Sequence, residues 1–174
     1  RWQGVKATLS FPEKPVLLST DDITVPHVVI GKSQGNLLGA VVLINTTDKA
    51  LKGLTLEASL KGSISSTDLP VIPQGTIRKV AFTFNPSNVT GKGSYECTLA
   101  LKQNGKVIDE RKITIDAVDA SEHQSHTFVS NIDGSVQYYG VAPATRGLDN
   151  PALFLSVHGA RVQAIGQARA YQPE

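Results

Sequence analysis

The chain has 174 residues, 40% of them hydrophobic and 18% charged, with a net charge of +2. That balance suits a folded globular protein rather than a disordered one. Lysines and arginines are scattered among the acids without a basic stripe, which argues against nucleic acid or an anionic membrane as partner. The apolar runs, such as LLGAVVLI (37–44), are too short to span a bilayer.

The sequence begins Arg1-Trp2-Gln3 and contains no methionine, so it is expected to start after a processing or cloning event. A single cysteine, Cys97, excludes an internal disulfide. Residues 1–14 read as a lead segment. From about Val16 to Val118 the pattern has period two: Leu54, Leu56, Ala58 and Leu60 alternate with Thr55, Glu57 and Ser59, and Tyr95, Cys97, Leu99 and Leu101 alternate with Glu96, Thr98 and Ala100. Val80, Phe82 and Phe84 do the same, as do Ile113 and Ile115. Turn residues fall between the runs, in NTTDKALKG (45–53), NPSNVTGKG (85–93) and QNGK (103–106). Asn104-Gly105 is the strongest hairpin signal, because both residue types tolerate positive φ. Runs near 23–30, 37–45, 53–61, 76–84, 94–102 and 106–116 predict six strands, or seven with 63–67 or 15–19. That spacing suggests two packed antiparallel sheets over residues 15–118.

The segment GSYECTLAL (93–101) resembles the sixth strand of an immunoglobulin-like or fibronectin-III-like domain, with Tyr95 two residues before the core Cys97. The partner cysteine and central tryptophan of antibody domains are missing, so the resemblance is to the broad Ig-like class appended to extracellular enzymes. It implies a secreted, periplasmic or extracellular setting and makes Cys97 a core residue.

The polar stretch DASEHQS (119–125) reads as a linker. HTFVSNID (126–133) and SVQYYGVAP (135–143) then flank Asp133-Gly134, a hairpin with a tight turn. PALFLSV (151–157) is continuously apolar and predicts a strand covered on both faces, and VQAIGQARAY (162–171) predicts a first helical turn or two. These features of residues 126–174, with SNIDGSVQYY (130–139) and the strand ending in His158-Gly159-Ala160, resemble the opening of a prolyl-oligopeptidase-like serine hydrolase of the α/β-hydrolase class. The resemblance implies a mainly β chain: an Ig-like sandwich followed by the truncated start of an α/β-hydrolase domain. It also implies that Gly159 makes a tight turn, that the Ala160 amide donates to an oxyanion, and that His158 orients the loop. The catalytic triad would lie downstream, in a partner segment acting on an ester, peptide or glycan-linked substrate, and this chain would be inactive by itself.

One literal G-x-S-x-G occurs, at Gly31-Lys32-Ser33-Gln34-Gly35. Ser33 is an unpromising nucleophile: only thirty residues precede the motif, β-branched Val41, Val42 and Ile44 follow it, and the chain order is reversed relative to the hydrolase family. His123 and His126 are three residues apart with only Glu122 beside them, which predicts no metal site. No cofactor is expected. Two main readings stay open: the N-terminal fragment of a secreted serine hydrolase, or a purely structural or binding Ig-like module without hydrolase activity. A third, an enzyme using Ser33, rests on the motif alone.

Overall fold

The computed structural model describes residues 14–144, 152–157, 159 and 162–170. Among them, in chain order, are strands β1 (Val16–Thr24), β2 (Val28–Val29), β3 (Leu37–Asn45), β4 (Leu54–Leu60), β5 (Ser63–Asp68), β6 (Thr76–Phe84), β7 (Gly93–Gln103), β8 (Lys106–Val118), β9 (Gln124–Val129) and β10 (Val136–Val141), then one short helix, α1 (Ala164–Ala170). The protein is therefore mainly β. One sheet has the order β1-β3-β6, a second has β2-β8-β7-β4-β5, and β9 and β10 make a separate two-stranded ribbon.

The period-two pattern becomes the inner faces of the two larger sheets. Leu56, Ala58 and Leu60 of β4 lie opposite Leu101, Leu99 and Cys97 of β7. They share one apolar cluster with Leu18, Val41, Leu43, Val80, Phe82 and Phe84 from the other sheet. Gly39 is directly paired with Phe82, and a Cβ there would sit 2.6 Å from the Phe82 ring, so this large core side chain needs a glycine opposite it. Cys97 is fully buried, and desolvation pushes its thiol up to about 11. It behaves as a core side chain rather than a nucleophile.

Turn chemistry sets the hairpins. Asn104 (φ 50°) and Gly105 (φ 78°) join β7 to β8 in the left-handed conformation their sequence predicts. Lys61-Gly62 does the same between β4 and β5, although lysine gives no such signal. Both optional strands exist, as β5 and β1. The run read as one strand over 23–30 is broken: β1 ends at Thr24, and β2 pairs parallel with β8. Pro26 lies in the break, without an N–H for a ladder and with its φ fixed, and here the chain crosses from one sheet to the other. At the start of β7, the Tyr95 hydroxyl donates to the Gly91 carbonyl at 2.7 Å, anchoring the turn that enters the strand.

A buried carboxylate ties the sheets together at one end. Asp109 follows an irregularity in the β7–β8 register and is 1% exposed. It accepts from the Leu18 amide of β1 at 2.8 Å and from the Lys14 ammonium at 2.9 Å, and Arg111 donates to the Leu18 carbonyl. Burial alone would raise the Asp109 pKa. The bonds from Leu18 and Lys14, with the charge of Arg111, hold it below its usual value.

The last third departs from its sequence reading. Strand β9 begins at Gln124, and Gln124 and Ser125 are 3% and 8% exposed, so the polar stretch 119–125 ends inside a packed strand. The Asp133-Gly134 turn joins β9 to β10, with Gly134 at φ 70°. Helix α1 lies where the helical turns are expected and packs on β10 at Gly140, where a Cβ would meet the Ala164 carbonyl oxygen at 2.6 Å. The predicted covered strand does not form. Residues 152–157 have no regular structure, and Leu153, Leu155 and Val157 are 84%, 82% and 95% exposed. A continuous apolar run becomes a covered strand only where a parallel sheet and a flanking layer receive it. Among the described residues the one parallel pairing is the two-residue match of β2 with β8.

Candidate functional site

Among the described residues, those singled out in the sequence do not converge. His158 and Ala160 lie outside the described residues, and Gly159 follows the unstructured apolar run, its carbonyl accepting from the Val162 amide at 3.3 Å. Ser33 is exposed in the loop between β2 and β3. The Gln34 side chain staples that loop by accepting from the Val29 amide at 2.8 Å, and Gly31 turns it at φ 78°. A loop between strands therefore accounts for GKSQG, and among the described residues no histidine bonds to Ser33. Nor do three His, Cys, Asp or Glu side chains gather at metal-binding distance among those residues. The His126 ring is instead stacked on Tyr139, with Nε2 3.0 Å from Gln124 Oε1.

What the fold does assemble is a junction between the sandwich and the ribbon, where three of the four histidines meet. His27 stands between β1 and β2. Its amide donates to the Ser125 carbonyl at 2.9 Å, and its Nδ1 accepts from the Ser125 amide at 3.3 Å. A backbone N–H can only donate, so His27 Nδ1 must carry no proton and the ring is neutral. The ring also bonds to the His123 backbone. His123 Nε2 is buried without a hydrogen-bond partner among the described residues. Burial lowers the pKa of both His27 and His126. Arg169 pushes His27 further down against the pull of Asp116 and Glu122, and Lys32 and His27 do the same to His126. Farther along β9, the Thr127 hydroxyl donates to the Leu38 carbonyl of β3 at 2.6 Å.

Beyond the junction the ribbon carries an aromatic surface. His126 and Tyr139 are cross-strand partners, and Phe128 tilts against Tyr139 with ring centres 6.1 Å apart. Phe128 is 47% exposed and Tyr139 46%. A groove of about 210 Å³ runs between the ribbon and the β1-β3-β6 sheet, lined by Thr24, Ala40, Lys79, Ala81, Gln137 and Tyr138. Lys79 is paired with Asp22 at 3.0 Å.

Sequence reasoning missed this surface. His27 and Ser125 are 98 positions apart, and nothing local in VPHVVI or DASEHQS joins them. The alternation of His126 and Phe128, opposite Tyr139, in a predicted hairpin was the one available signal for the aromatic face.

No family model matches the chain, and no curated protein matches it. The chain is similar to two solved structures of the CARDB domain of a Pyrococcus furiosus protein. One is a crystal structure in complex with di-metal ions, at 16% identity and a TM-score of 0.39, covering 64% of this chain and 98% of that one. The other is a solution NMR structure, at 15% identity and a TM-score of 0.41, covering 63% and 98%. These are β-sandwich-like domains and not hydrolases. The resemblance of residues 126–174 to a prolyl-oligopeptidase-like hydrolase does not hold, because it had rested on a covered strand at 151–157. An exposed run without regular structure stands there instead.

Proposed function

We propose that this chain is a non-catalytic binding or structural module: an Ig-like β-sandwich over residues 15–118, whose contact surface is the aromatic ribbon β9–β10. The single observation that carries this reading is the exposure of Phe128 and Tyr139 on a ribbon that is otherwise bonded to the sandwich. Contiguous exposed aromatic surface on a folded protein marks contact sites, because aromatic side chains supply large apolar area at low cost in side-chain entropy. The Ig-like plan is supported by the order β1-β3-β6 facing β2-β8-β7-β4-β5 and by the Tyr95–Gly91 bond at the entry to β7.

Two measurements test the reading. Treatment with a fluorophosphonate is expected to leave the chain unmodified at its 18.5 kDa mass; a label mapped to Ser33 would sink the non-catalytic assignment. Binding of an apolar fluorescent dye is expected to fall in a Phe128→Ser, Tyr139→Ser variant whose unfolding midpoint is unchanged. Equal dye binding by both proteins would remove the ribbon as the contact surface.

A further inference from the structure

Helix α1 and the ribbon form one unit through Gly140, and the sandwich forms another. The charged and titratable groups at their junction are divided unevenly between them. Facing the junction from the sandwich are His27, Lys32 and Asp116; facing it from the ribbon and helix are His126 and Arg169. Glu122 belongs to the turn between β8 and β9 and is held by Lys92 of the sandwich. Among the described residues the acids are therefore anchored on the sandwich side, and the ribbon–helix side presents a histidine and an arginine.

We propose that this junction is an acid-operated latch: protonation of His27 and His126 puts like charges on both of its sides and releases the β9–β10 ribbon, together with α1, from the sandwich. Two features act in the same direction. A proton on His27 Nδ1 would point at the Ser125 N–H, replacing an attraction between donor and acceptor by a clash of two donors. Protonated His27 repels protonated His126 and Arg169, while protonated His126 also repels Lys32. Asp116 and Glu122 stabilise a charged His27 without drawing the ribbon closer. The latch acts on the attachment of the ribbon, whatever the ribbon touches.

The sign is fixed by the direction of the histidine shifts. Both folded values lie below the ordinary 6.5, so the junction has its full strength above that value and loses it as the pH falls from there toward the folded values. The test is a titration of the full chain, from about pH 7.5 to about pH 5, followed by amide and imidazole NMR signals together. Loss of native amide signals from 124–141 and 164–170 is expected in step with protonation of His27 and His126, while signals from β4, β7 and β8 hold. The pair of substitutions His27→Asn, His126→Gln keeps an acceptor at 27 and a donor toward Gln124 at 126 and removes the titration, so the ribbon should stay attached at the acid end. Ribbon signals that persist in the wild type at the acid end would overturn the proposal, and so would simultaneous loss of all signals. An unchanged transition in the double variant would do the same. If that variant does not fold, the wild-type imidazole signals decide: a ribbon that detaches while both rings remain neutral overturns the latch, and coincident protonation supports it.

Discussion

The sandwich and the C-terminal third treat the same kind of residue in opposite ways. In β4 and β7 each apolar side chain meets a cross-strand partner and a facing sheet, so Leu56, Leu60, Leu99 and Leu101 reach full burial. In residues 152–157 an equally apolar sequence forms no strand and remains exposed. The ribbon lies between these extremes, with one end bonded to the sandwich through Ser125 and Thr127 and an aromatic surface left open. Apolar content alone therefore does not produce a core. Alternation matters because it lets one face be covered while the other is solvated, and it is satisfied by neighbours that the chain itself supplies.

If that contrast is right, core truncation should be the most damaging change. Phe82→Ala removes the ring that fills the space over Gly39 and is expected to cost about 4 kcal/mol. The thermal midpoint should then fall by roughly 10–20 °C; a fall of only a few degrees would mean that the core is looser than its burial suggests.

Next in size is Asp109→Asn, which keeps an acceptor for the Leu18 amide but leaves Arg111 and Lys14 without their carboxylate. A loss of about 2 kcal/mol is expected at neutral pH. Because the folded carboxyl is held below its usual 3.8, its contribution is complete above that value and fades as pH falls below it. Denaturant titrations of wild type and variant should therefore converge in strong acid. The two regions are also separated by pH, since the histidines of the junction respond below 6.5 and the sandwich's carboxylate only below 3.8.

A smaller and local effect is expected from Gly140→Ala. Its Cβ would collide with the Ala164 carbonyl, so α1 must lift from β10 at a cost of about 1–2 kcal/mol. Hydrogen exchange should speed up in 136–141 and 164–170 and nowhere in β7. Faster exchange throughout would show that the helix supports the sandwich as well. The smallest effect belongs to Leu153→Ser with Val157→Ser, which should leave unfolding stability within about 0.5 kcal/mol because both side chains are already exposed. A large loss would show that the run is covered in solution.

Several elements were legible from local chemistry. Period two placed the inner-face residues of β4, β6, β7 and β8; Asn104-Gly105 and Asp133-Gly134 placed two hairpins; and the helix after Val162 followed from its spacing. The break at Pro26 could have been read from the proline itself, but which sheet each half would join could not. The strand predicted at 151–157 failed for a related reason: a pattern states what covering a segment would need, not whether anything covers it.

The sequence by itself determined that this protein is mainly β, where its principal turns lie and which side chains face its core, because these follow from side-chain periodicity and from the residues that tolerate positive φ. Only the tertiary structure decided which strands neighbour one another, that Asp109 clamps β1 to β8, and that His27 meets Ser125 and stands close enough to His126 for their charges to interact. Those contacts join residues some ninety positions or more apart, and no local preference of the chain encodes them.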